Sequence, residues 1–247
     1  NYVQTQLDAS KNFYPKNKST NVFYTTLSAM TMSYWNNQGT FTDNTTYVSY
    51  DGTMKDRSTF GLYLSYDYVK LLYDFDATRM GNTALKKGTE HDWYAVNARY
   101  GSSPIKLFTY TLTSRFGGYY GQGWRTGITA DIGYRFQPYG SFSVAFDYND
   151  IVDVAIPGTE LAAAKKVSSN FWIIRPKIDI TFSNKLFFAT FFQLNQQTKN
   201  VNLNARLQWR YKPASDLFLV YTDNYFPEIM QIRNRALVLK LNYWLNL

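Results

Sequence analysis

The stretch NVNLNARLQWRY, Asn200 to Tyr211, changes character at every step. Val201, Leu203, Ala205, Leu207, Trp209 and Tyr211 fall on one side of an extended chain, and Asn200, Asn202, Asn204, Arg206, Gln208 and Arg210 on the other, because successive side chains of a strand point to opposite faces. No helical period fits this order. A strand buried on both faces would not tolerate its polar half.

The rule extends in both directions. From Arg235, the residues Leu237, Leu239, Leu241, Tyr243, Leu245 and Leu247 alternate with Ala236, Val238, Lys240, Asn242, Trp244 and Asn246, and the chain is expected to end inside this strand. Upstream, Trp172, Ile174, Ile178, Ile180 and Phe182 oppose Arg175, Lys177 and Asp179. Thr126, Ile128, Ala130, Ile132, Tyr134 and Phe136 oppose Arg125, Asp131 and Arg135, while Phe142, Val144, Phe146 and Tyr148 oppose Ser141, Ser143, Asp147 and Asn149.

Connections between these segments alternate in length. Short turns rich in turn formers lie at Gly101–Pro104, Gln137–Gly140, Ser183–Asn184 and Lys212–Ser215. Longer links lie at Thr78–His91, Gly117–Gly123, Ile151–Ser169 and Asp223–Arg233. Alternating short turns and long loops mark an up-and-down meander of the outer-membrane kind. In the N-terminal third, Tyr2–Ser10 reads as the first strand. Phe60–Tyr68 and Leu71–Phe75 are both strand-like, with a change of apolar parity near Val69 that signals a tight turn or a bulge.

The expectation is therefore an all-β fold: an up-and-down antiparallel transmembrane β-barrel of about fourteen strands, or about twelve if Val69 marks a bulge. Residues 1–247 would form one barrel domain, with Asn1 marking a mature, trimmed or partial chain and so leaving room for a longer protein. Composition agrees. The 22 Tyr, 18 Phe and 6 Trp favour strands. The mean hydropathy of -0.37 comes with no apolar run near the roughly 18 residues of a membrane helix. Strands of about ten to fourteen residues match the ~9 to 11 that a tilted membrane strand needs. Aromatic residues cluster near strand ends, as an interfacial girdle requires: Trp35, Tyr100, Phe136, Tyr139, Phe182 and Tyr211 on the short-turn side, and Tyr119, Tyr120, Trp124, Tyr148, Phe171 and Tyr225 on the loop side. The competing architecture is a soluble sandwich or lipocalin-like barrel, which would hide the same apolar faces inside protein.

The block RYKPASDLFLVYTD, Arg210 to Asp223, lies within VNLNARLQWRYKPASDLFLVYTDNY, and NRALVLKLNYWLNL follows. This region resembles the C-terminal part of a family of Bacteroidota outer-membrane proteins, in which a barrel-like region of unknown function follows a domain similar to family 9 carbohydrate-binding modules. The resemblance is specific from Trp172 to Leu247 and weaker upstream. It implies location and architecture, the outer membrane of a Gram-negative bacterium; the short-turn side, and with it the C-terminus, is expected to be periplasmic from the loop pattern. The family's barrel region is longer than this chain, and no carbohydrate-binding module stands at its N-terminus, so no glycan-binding residue carries over. Leu247 also stands where proteobacterial barrels often end in Phe.

With strand parity taken at face value, Arg99, Arg115, Arg125, Arg135, Arg175, Lys177, Arg206, Arg210 and Lys240 line a basic lumen, with Asp131, Asp147 and Asp179 as partners. Such a lumen fits a pore or partner-gated channel for polar or anionic solutes. The same charges would serve equally to brace a non-conducting scaffold that anchors periplasmic or surface partners.

The formal charge of +8 is spread over many strands instead of one aromatic-and-basic surface, which argues against nucleic acid as a partner. Lys86, Lys87, Lys165 and Lys166 in the long loops are candidates for lipopolysaccharide phosphates or simply solvated. Outer-membrane lipid, lipopolysaccharide and neighbouring outer-membrane or periplasmic subunits are the expected partners. No cofactor is expected.

Catalysis is not expected either. His91, the sole histidine, reads as a loop residue flanked by Glu90 and Asp92, with no sign of the nucleophile it would need. One His and no Cys leave no soft metal site. Asp150, Asp153 and Glu160 are carboxylates for a hard cation or a hydrated surface.

Overall fold

The computed structural model describes residues 2–17, 19–81, 84–156, 165–229 and 231–245. They form one antiparallel, up-and-down sheet in which thirteen strands follow one another in chain order. These are β1 (Tyr2–Phe13), β2 (Val22–Asn36), β3 (Phe41–Met54), β4 (Thr59–Lys70), β5 (Glu90–Gly101), β6 (Phe108–Tyr119), β7 (Gly123–Phe136), β8 (Gly140–Ile156), β9 (Lys165–Thr181), β10 (Leu186–Asn195), β11 (Asn200–Lys212), β12 (Ser215–Phe226) and β13 (Gln231–Leu241). A short 3₁₀ turn, Tyr120–Gln122, joins β6 to β7.

The all-β, up-and-down expectation holds, with thirteen strands among the described residues in place of fourteen or twelve. The difference arises after Val69. β4 ends at Lys70, and Leu71–Phe75 is neither a separate strand nor the far side of a bulge. Its backbone is paired only at its ends among the described residues: Leu71 bonds to Thr89 and Gly88, and Phe75 forms an isolated antiparallel bridge with Leu85.

Other boundaries move too. β1 continues to Phe13, and β13 ends at Leu241, so Tyr243 and Leu245 lie beyond the last strand. Asn246 and Leu247 lie outside the described residues, as do positions 157–164 of the expected Ile151–Ser169 link. The Gly117–Gly123 and Asp223–Arg233 links shrink to residues 120–122 and 227–230, because the strands run further than their apolar patterns suggest.

Turns close on local side-chain acceptors. Asn36 Oδ1 accepts the N–H groups of Gln38 and Thr40, each at 2.9 Å. Ser183 Oγ accepts those of Lys185 and Leu186 at 3.2 and 3.1 Å. Short polar side chains that satisfy turn amides are what such tight reversals select.

The chain divides into two compact units. The first comprises Asn1–Ile105, Thr111–Thr129 and Tyr148–Phe171; the second comprises Lys106–Tyr110, Ala130–Asp147 and Trp172–Leu247. In the first unit, Ala29, Val48, Leu64, Val96 and Phe116 stand directly opposite one another across β2–β6. Ser49, Tyr63, Asn97 and Arg115 form a matching polar row on the other face. In the second unit, Phe188, Leu207, Leu219 and Leu239 form an apolar row across β10–β13.

These apolar rows are not covered by protein. Leu64 is 56% exposed and Leu239 68%, whereas a soluble sandwich or lipocalin-like barrel would bury them. The main buried apolar cluster is small and sits elsewhere, on Leu71, Ala77, Leu85, Tyr119, Ile151, Val154, Ile156 and Phe171.

Candidate functional site on the polar face

In the first unit, register places Arg99 and Arg115 on the polar face, opposite Thr113 and Asn97. Arg125 joins them. Its Nε and Nη2 donate to Asn149 Oδ1 at 3.0 and 2.7 Å. Arg115 donates from Nη1 to the Arg125 carbonyl at 3.2 Å and from Nη2 to the Gly118 carbonyl at 2.8 Å. Both guanidinium groups lie over the Tyr119 ring, 5.9 and 5.5 Å from its centroid, where the negative ring face attracts a cation. Two half-buried arginines thus share one aromatic platform. Tyr63 donates to Asp51 on the same face.

Residues 71–81 and 84–89 fold down onto this arrangement. Leu85 is fully buried in the apolar cluster with Tyr119, Ile151 and Phe171, and Phe75 packs on Tyr120 at 5.0 Å between ring centroids. Tyr120 in turn packs against Trp93 in a tilted arrangement, 4.6 Å between ring centroids. Burial, reinforced by the neighbouring Tyr119, pushes the Tyr120 phenol up to about 12.

The loop is also braced internally. Phe75 and Leu85 exchange backbone hydrogen bonds of 2.9 and 2.8 Å. Asp76 Oδ2 accepts the N–H groups of Met80 and Gly81 at 3.2 and 2.8 Å. Asp74 accepts the Lys86 ammonium at 2.8 Å and the Lys87 N–H at 2.9 Å, and these contacts hold its carboxyl below the usual range.

His91 is the second residue of β5, not part of a solvated loop tip, and is half-buried. The Gly121 N–H donates to its Nδ1 at 3.2 Å, so the ring proton sits on Nε2, 2.9 Å from Thr89 Oγ1. That hydroxyl donates onward to the Lys86 carbonyl at 2.8 Å. His91 ties β5, the loop and the 120–122 turn together.

In the second unit, the polar-face charges are mostly paired. Arg175 meets Asp147, Lys177 meets Asp179 at 2.8 Å, and Arg210 meets Asp216 at 3.3 Å. Arg135 Nη2 donates to the Lys106 carbonyl at 2.6 Å. Asp131 is exposed. Arg206 and Lys240 are exposed opposite Val220 and Phe218. Asp179, Phe187, Arg206 and Gln208 line a recess of about 220 Å³.

Several residues singled out from the sequence fall elsewhere. Lys86 is paired with Asp74, and Lys165 and Lys166 open β9 instead of lying in a loop. Asp150 and Asp153 lie in β8, and Asp153 meets Lys166 at 3.5 Å. Glu160 lies outside the described residues. Among the described residues no three His, Cys, Asp or Glu side chains gather as a metal site.

The girdle assignment needs two corrections. Trp35 closes β2 beside the 37–40 turn, at the end of the meander that carries the 71–89 loop. Tyr119, Tyr120 and Phe171 belong to the packing beneath that loop. Periodicity also missed an ion pair on the apolar face, Asp223 with Arg235. The signal was present: Asp223 shares parity with Leu217 and Leu219, and Arg235 with Leu237 and Leu239. Among known proteins the chain matches no family model, no curated protein and no solved structure.

Proposed function

We propose that this sheet closes into a barrel in the outer membrane of a Gram-negative bacterium, with its apolar rows against lipid and its polar rows lining a narrow, basic passage for polar or anionic solutes. Exposed leucines and phenylalanines on one face, opposite charged and amide side chains on the other, support the membrane setting. Closure follows from the cost of leaving edge amides and carbonyls unpaired in hydrocarbon. The likeness of Arg210–Asp223 to Bacteroidota barrel proteins supports the compartment, with the C-terminus periplasmic, and lipopolysaccharide and neighbouring subunits are the natural contacts.

The observation that carries the pore reading is the pair Arg115 and Arg125 held half-buried on Tyr119 beneath the 71–89 loop. A loop packed onto the polar face narrows a passage, and fixed guanidinium charges at the narrowing favour anions. No covalent chemistry is assigned, since both ring nitrogens of His91 are engaged structurally.

Planar-bilayer recordings under a KCl gradient test this. Reproducible channels with an anion-biased reversal potential are expected, and Arg125→Ser should shift that potential toward the cation side. Silence from correctly folded protein would instead support the second reading, a non-conducting scaffold. Its support is the extensive pairing of polar-face charges, such as Arg175 with Asp147 and Lys177 with Asp179.

A further inference from the structure

The polar face of β10–β13 changes chemistry along its length. Toward the 182–185 and 213–214 turns it carries Arg206, Arg210 and Lys240. Toward the other end no charged pair stands in register on this face, and Arg233, at the β13 bulge, lies over the Phe226 ring. Gln193 stands opposite Asn202, Asn202 opposite Asn224, and Asn224 opposite Asn234, so four carboxamides form one row across four strands. Adjacent positions are also neutral: Asn195 faces Asn200, and Asn204 faces Thr222.

The row is a hydrogen-bonded ladder with capacity left over. Asn202 donates to Asn224 Oδ1, and Asn224 donates to Asn234 Oδ1. A carboxamide has two N–H donors and two carbonyl lone pairs, so Asn224 keeps one of each and Asn202 keeps one N–H and both lone pairs. Among the described residues, Asn202 Oδ1, Asn234 Nδ2 and the whole Gln193 carboxamide have no protein hydrogen-bond partner. Buried Asn200 Oδ1 has none either. Bracing alone would not need Gln193.

We infer that this row binds an uncharged, extended oligosaccharide lying across β10–β13; the inference rests on the reading of the polar face as a solvent-filled interior. Sugar hydroxyls both donate and accept, which matches carboxamides that offer both. Neighbouring rungs repeat at the ~4.8 Å strand spacing, close to the advance of about 5 Å per ring along an extended β-1,4-linked chain. Phe191, two residues before Gln193 and on the same face, adds a flat apolar surface for the C–H side of a ring. The four rungs themselves carry no charge, and Lys177, in register with Phe191, is already paired with Asp179, so a neutral solute replaces water on the rungs without desolvating an unpaired ion there.

The test is calorimetric titration of the detergent-solubilised full chain with cellohexaose, alongside channel recordings with the same sugar. Saturable binding is expected. It should weaken about fivefold in Gln193→Leu, as for one neutral hydrogen bond, and further in Asn202→Leu/Asn224→Leu. Gln193→Leu breaks no internal hydrogen bond, so it reports on the site even if the double variant fails to fold. No binding to the wild type, or equal binding to Gln193→Leu, overturns the inference. Channels without cellohexaose binding sink the site and leave the pore; binding without channels keeps the site and sinks the pore.

Discussion

Asp223 on β12 and Arg235 on β13 stand directly opposite one another on the apolar face, with Oδ2 and Nη2 2.7 Å apart. The hydroxyls of Tyr221 and Tyr225 both donate to the same carboxylate oxygen. Asp223 is fully buried while the Arg235 side chain is 47% exposed, so the carboxylate depends on its partner more than the guanidinium does. Arg235→Leu should therefore lower the unfolding midpoint in detergent. The double variant Asp223→Leu/Arg235→Leu should recover most of that loss, because an unpaired buried charge costs more than the pair contributes. Equal losses in single and double variants would contradict this account.

Leu85 anchors the 71–89 loop with a fully buried side chain. Leu85→Ala should cost the loop about 2–4 kcal/mol of local packing. Amide exchange across the loop should accelerate while the strands stay protected, and single-channel conductance should rise. Unchanged exchange would mean that the bridge between Phe75 and Leu85 holds the loop by itself.

The Asp74–Lys86 contact makes the loop sensitive to acid. A carboxyl whose pKa is depressed on folding contributes stability that is complete above its unfolded value, near 3.8 here, and is lost as pH falls through the lower folded value. Loop protection, that is exchange corrected for the intrinsic pH dependence of amide exchange, should thus be flat from neutral pH down to about 4 and fall below it. Asp74→Asn should remove the step, which exchange measured at a series of pH values would reveal.

Gly117 permits the close approach of β6 to β5. At its φ of +157° an added Cβ would lie 2.4 Å from Ala95 Cα and 2.5 Å from the Tyr94 carbonyl. Both obstacles are backbone, so neither can move aside cheaply. Gly117→Ala should sharply reduce the yield of the heat-modifiable folded form on gels.

How much was legible in the sequence depended on what set each feature. The polar and apolar faces of β11 are fixed by the two-residue period alone, so Val201–Arg210 read correctly without tertiary information, while Tyr211 falls at a bulge that the period does not announce. Leu71–Phe75 has equally strand-like residues, yet Leu71 and Phe75 find a local cluster instead of a neighbouring strand, while Leu72 and Tyr73 stay exposed. Periodicity cannot distinguish those fates. His91 looked solvated because its sequence neighbours are acidic, whereas its partners, Thr89 and Gly121, come from the loop and from a turn after the next strand. Arg115 and Arg125 were identifiable as polar-face cations, but their shared ring at Tyr119 depends on how the ends of β6 and β7 meet.

The rungs Gln193, Asn202, Asn224 and Asn234 contain nothing that gains or loses a proton. Their hydrogen-bonding pattern is therefore the same in acid, in alkali and in brine, while the attraction exerted by Arg115 and Arg125 fades as ionic strength rises. A single sheet thus carries one region that answers to the salt around it and another indifferent to it.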